Sequence, residues 1–110
     1  MTARLVALAL LVVAVATPAS AAQAPTLRVV RERPLVLRGA DFRPREHVRV
    51  TVRAGAMTWT RRTQAGARGG FTVEFRLRID FCTTPVRILA SGRSTGTIRA
   101  RLPQRECPSP

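Results

Sequence analysis

From Phe71 to Phe81 the chain alternates without a break. Phe71, Val73, Phe75, Leu77, Ile79 and Phe81 fall on one side, and Thr72, Glu74, Arg76, Arg78 and Asp80 on the other. A period of two is the pattern of a strand with one buried and one wet face, and a helix cannot gather these residues on one side. The segment His47 to Arg53 repeats it, with Val48, Val50 and Val52 inward and Arg49, Thr51 and Arg53 outward. Shorter copies occur at Val86/Ile88/Ala90 and Ile98/Ala100/Leu102, and opening strands at Leu27/Val29 and Leu35/Leu37. Met57 to Thr63, around Trp59, is a weaker one.

Turn-forming residues separate these runs at the spacing of an all-β domain: Gly39-Ala40-Asp41, Pro44, Ala54-Gly55, Gly66 to Gly70, Thr84-Pro85 and Ser91 to Gly96. No 3.6-residue apolar stripe follows residue 24. The sequence predicts about seven short strands, at 26–30, 34–39, 47–54, 57–64, 70–80, 85–91 and 96–102. Two antiparallel sheets packed face to face bury both alternating faces, whereas one open sheet exposes an apolar side. The expected fold class is an all-β, two-sheet antiparallel β-sandwich spanning residues 22–102.

Residues 1–21 precede this domain and read as a cleaved signal peptide: Arg4, then an apolar run from Leu5 to Ala16, then the A-x-A signature Ala19-Ser20-Ala21. The run of about 12 residues falls short of the roughly 20 that span a bilayer. A second A-x-A, Ala22-Gln23-Ala24, is the weaker site because Pro25 follows it. No transmembrane segment remains after cleavage. The C-terminus has no cell-wall sorting motif, and no lipobox cysteine follows the signal. The expected destination is secretion, to the periplasm or the medium.

In that oxidising setting Cys82 and Cys107 are expected to pair. The bond closes a loop of about 25 residues, worth roughly 3 kcal/mol on loop entropy, and ties the tail at 103–110 back to the domain. A zinc site lacks ligands, since only His47 could join the two cysteines. No metal or cofactor is expected.

One segment carries a family resemblance. Gly39-Ala40-Asp41-Phe42-Arg43-Pro44-Arg45-Glu46-His47-Val48-Arg49-Val50 resembles the G-x-G-F-x-P-G-E-x-V-x-V stretch of small immunoglobulin-like β-sandwich modules of secreted bacterial proteins. Ala65-Gly66-Ala67-Arg68-Gly69-Gly70-Phe71-Thr72-Val73 is similar to their A-D-x-x-G-x-F-x-V turn and strand. The resemblance covers most of residues 26–80 and implies an immunoglobulin-like architecture, with almost no bearing on activity. Read by themselves, Gly39 permits a positive-φ turn, Phe42 drops between the sheets and Pro44 stiffens the loop. Glu46 caps backbone amides or meets Arg43 or Arg45. Arg45 stands where the family has glycine, so a different turn type is expected there, and Ala40 and Asp41 replace the family's small residue and glycine, which leaves the loop geometry open. Asp41 with Glu46 supplies too few oxygens for calcium.

Charge narrows the function classes. The chain carries 19 basic residues, none of them lysine, against 6 acidic ones, for a formal net charge of +13; cleavage removes one unit with Arg4. A GC-rich composition accounts for arginine in place of lysine but not for the scarcity of acids. Such a field attracts polyanions. Catalysis has little to work with: one histidine, no tyrosine and no lysine. His47 with Ser91, Ser94 or Ser109 matches no nucleophile-elbow pattern, and no helix or G-K-[ST] follows Gly66 to Gly70. An enzyme is not expected.

In an immunoglobulin-like topology the third, sixth and seventh strands share a sheet. Its outward residues are then Arg49, Arg53, Arg87, Arg99 and Arg101, the candidate binding face, with Arg76 and Arg78 on the opposite sheet. The expected role is a non-catalytic binding or structural module engaging an anionic envelope polymer; the plain alternative is a solvated cationic surface. Specific nucleic-acid binding is not expected, because the basic residues lack interleaved aromatics. Membrane lysis is disfavoured by the missing amphipathic helix. A small-molecule carrier resembling chromoprotein apoproteins, with Phe42, Met57 and Trp59 lining a cleft, is another alternative, as is a domain that binds a protein partner.

Overall fold

A computed structural model describes residues 2–4, 6–14, 23–102 and 107. Seven strands follow in chain order: β1 Thr26–Glu32, β2 Leu35–Ala40, β3 His47–Ala54, β4 Met57–Gln64, β5 Phe71–Phe75, β6 Val86–Gly92 and β7 Gly96–Arg99. They form a three-stranded sheet of order β1-β2-β5 and a four-stranded sheet of order β4-β3-β6-β7. All ladders are antiparallel. The fold is an immunoglobulin-like two-sheet β-sandwich with β3, β6 and β7 in one sheet.

The alternating residues fill the space between the sheets. Leu35 and Leu37 of β2 and Phe71, Val73 and Phe75 of β5 face Val48, Val50 and Val52 of β3 and Ile88 and Ala90 of β6. Phe42 is buried from the β2–β3 connection and meets Phe71 edge-on, ring centroids 5.0 Å apart. Gly39 does not take a positive φ. Its small size is used instead: the Phe71 ring lies where a Cβ would project.

Most strand ends lie within two residues of the sequence reading; two strands stop at least three residues short of it, both because a ladder needs a partner. The run 70–80 pairs only as far as Phe75, which sits opposite Leu35. The next partner would be Pro34, which has no N–H to donate. Arg76 and Arg78 therefore lie beyond the ladder, although Ile79 still turns into the core. β7 stops at Arg99 rather than 102, because Arg101 bridges Arg28 in parallel and donates its amide to Leu27 O (2.9 Å). That contact closes the two sheets against each other along one edge.

Cys82 and Cys107 form a disulfide, Cα atoms 5.4 Å apart. It lies at the end of the sandwich where β5 hands over to β6; the rest of the tail, 103–106 and 108–110, Ser109 included, falls outside the described residues. So do the cleavage positions Ala19-Ser20-Ala21. Residues 6–14 are exposed and without secondary structure. Among the described residues no helix is long and apolar enough to cross a membrane.

Candidate binding face

At the opposite end of the sandwich, both connections between the sheets run side by side. Phe42 N donates to Gly69 O (3.1 Å), Arg45 N to Gly66 O (3.2 Å), and Ala65 N to Glu46 O (2.8 Å). Glu46 fastens a third element. It is 7 % exposed, and its carboxylate accepts from Ser94 N (2.5 Å), Thr95 N (2.7 Å), Thr95 Oγ1 (2.5 Å) and Arg43 N (3.1 Å). Burial by itself pushes a carboxylate pKa up. Here the hydrogen bonds from the Thr95 hydroxyl and amide, then from the Ser94 and Arg43 amides, outweigh it and hold the group at about 2. Of the roles expected for Glu46, amide capping is the one observed. Gly92 leaves the carboxylate its room, since a Cβ there would lie 2.7 Å from its carbon.

Asp41 and Arg45 adopt φ of 62° and 59°. These are the two positions where this chain departs from a glycine of the similar motif. Both residues take the left-handed conformation glycine would take. The loop is held from outside, through Glu46 and the Gly66 and Gly69 carbonyls, strongly enough to impose it.

This scaffold sets the parity of the four-stranded sheet. Arg49 and Arg53 of β3 point outward, since the intervening Val50 and Val52 are buried. Arg53 lies directly opposite Arg87 of β6, and Arg99 of β7 opposite Leu89. Arg49, Arg53, Arg87 and Arg99, four of the five arginines expected on one sheet face, are thus brought together. Arg101 is exposed but lies past the end of β7, where it bridges Arg28 of the other sheet, so it is not part of that face. β4 adds one that sequence reading missed: Arg62 lies directly opposite Arg49. Its signal was the two-residue Gly55-Ala56 turn, which fixes β4 against β3 by counting back from Ala54 and Met57. The broken alternation of β4 itself gave no parity.

Like charges on neighbouring strands repel, and no described carboxylate on this face offsets them. Of the described acids, Glu32 and Glu74 belong to β1 and β5, Asp41 and Asp80 to connections, and Glu46 is buried. Among the described residues no aromatic ring lies on the outer side either: Trp59 pairs with Val52 on the inner side and is half-buried. Phe42 and Met57 do not converge on a cleft with it. Phe42 precedes β3 and is buried, whereas Met57 follows its far end, about 23 Å away along an eight-residue strand, and is 58 % exposed.

A shallow depression of about 570 Å³ opens at the His47 end of this face, lined by His47, Arg49, Arg62, Ser91, Gly92 and Arg93 among others. Arg93 belongs to the β6–β7 turn that Glu46 holds. Among the described residues no group of three or more His, Cys, Asp or Glu side chains could hold a metal ion. Comparison with protein-family models, curated proteins and solved structures returns no match.

Proposed function

We propose that this chain is an exported, non-catalytic binding module that engages an anionic polymer of the cell envelope or its surroundings through the outer face of the β4-β3-β6-β7 sheet. The observation that carries the reading is the segregation of charge. Arg49, Arg53, Arg62, Arg87 and Arg99 share that face with no described carboxylate, while the described acids lie on the other sheet, in connections or in the interior. A cationic surface shaped by composition alone would scatter its few acids over both sheets. Export is supported by the apolar run at residues 6–14, which is exposed and outside the core, and by a disulfide suited to an oxidising compartment.

The test is a salt titration of the disulfide-bonded protein against polyanions, comparing wild type with the Arg49→Gln/Arg87→Gln/Arg99→Gln variant. Binding should persist at about 0.15 M salt, where the Debye length is about 8 Å. The variant should lose affinity and show a shallower salt dependence, because fewer counterions are released. An unchanged affinity and slope would remove this face from the function.

A further inference from the structure

Resting on the reading of this face as a polyanion surface, we propose that its His47 end is a subsite for a tetrahedral oxyanion, a phosphate or sulfate ester group carried by the polymer. Three arginines line the depression there. Arg49 and Arg62 are direct cross-strand partners, with Cβ atoms about 5 Å apart, and Arg93 lines the same depression from the β6–β7 turn. His47 and Ser91 complete the wall.

Shape selects the ligand. A carboxylate presents the lone pairs of two oxygens in one plane, which suits donors arranged in that plane. A phosphate or sulfate ester spreads charge over oxygens that point in several directions, and arginines approaching from different sides can each bind one edge. The depression, at about 570 Å³, falls in the roughly 300–1,000 Å³ range of small-ligand sites. It can take the charged group together with part of the chain that bears it. With no aromatic ring among the described outward residues, a base or sugar has nothing to stack on, so recognition falls to the charged group itself.

The rest of the arginine face is not built this way. Arg53 and Arg87 form a flat pair near the other end of the sheet. At the His47 end the donor that comes from a turn is anchored from the interior. The Glu46 carboxylate holds the Ser94 and Thr95 amides just beyond Arg93, and Glu46 itself immediately precedes His47. The β6–β7 turn that brings Arg93 to the β3–β4 ladder is therefore tied to a buried group, which lowers the ordering cost of binding.

Two charge-matched variants of the full disulfide-bonded chain separate this subsite from the face as a whole. Arg62→Gln/Arg93→Gln removes two charges at the His47 end, and Arg53→Gln/Arg87→Gln removes two at the other. All four residues are exposed. Calorimetric titration at about 0.15 M salt would use tripolyphosphate, dextran sulfate and poly-glutamate. Tripolyphosphate, dextran sulfate or both should bind more tightly than poly-glutamate, and which of them binds identifies the ester. The first variant should weaken that binding about tenfold, the second less than about threefold. Equal losses from both variants would overturn the subsite while leaving the face intact. Poly-glutamate binding as tightly as the other two would overturn the choice of a tetrahedral group. If none of the three binds, the subsite and the polyanion reading fail together.

Discussion

Replacing Glu46 by glutamine tests how this sandwich holds its loops. The carboxylate accepts four hydrogen bonds from two stretches of chain and carries a pKa of about 2, against 4.5 for a free glutamate. Glutamine keeps one carbonyl oxygen for the Ser94 and Thr95 amides but sets an NH2 group against the Arg43 amide, donor to donor. The pKa difference corresponds to about 3 kcal/mol if the group were fully shielded. Solvent at the loop edge screens part of this, so about 2 kcal/mol is the expected loss at pH 7.

The sign of the pH dependence is fixed. The folded pKa lies below the unfolded one, so the contribution is complete above about pH 5.5 and is lost as pH falls through 4.5 toward 2. Urea unfolding followed through Trp59 at a series of pH values should show wild type above Glu46→Gln by about 2 kcal/mol at pH 7. The two should draw together toward pH 2, where the folded wild-type side chain takes up its proton. Asp80, held low by the Cys82 amide and then the Thr83 side chain, titrates in both proteins and cancels in the difference. A gap that stays constant from pH 7 to pH 2.5 would refute the electrostatic account and leave only packing. No gap at pH 7 would refute the anchoring role altogether.

Two further substitutions probe the same end of the molecule. Gly69→Ala should cost about 2–4 kcal/mol, because φ is +78° and the new Cβ would lie 3.0 Å from the Phe42 carbonyl carbon. Gly70→Ala, with only an ordinary 3.6 Å contact to Gly39 O, should stay within about 1 kcal/mol, and equal urea midpoints for the two would count against the close approach. At Arg45, whose φ is 59°, glycine should be at least as stable as arginine, and valine less stable than glycine by about 1 kcal/mol or more in thermal melts. Valine matching glycine would mean that the left-handed turn is not imposed.

Strand parity was legible in the sequence because it is local: the alternation at 47–54 and 71–75 needs no knowledge of partners. That parity, with the turn residues between runs, was enough for seven strands, two sheets and an arginine face. The paired cysteines followed from their number and the expected compartment. Where a ladder stops is not local. The alternation runs on to Phe81, yet β5 ends at Phe75 because Pro34 has no amide to offer. Nor is the role of Glu46 local, since two of its partners lie 48 and 49 residues away, and nothing in the spacing marks them. Asp41 and Arg45 show the same division: nothing in their residue types requires a left-handed conformation, and the surrounding hydrogen bonds impose it. The chemistry of the face was written in the sequence as arginine and valine in alternation. Only the tertiary structure sets Arg62 opposite Arg49 and brings Arg93 into the same depression, because that convergence depends on strand register and on a loop held by a distant carboxylate.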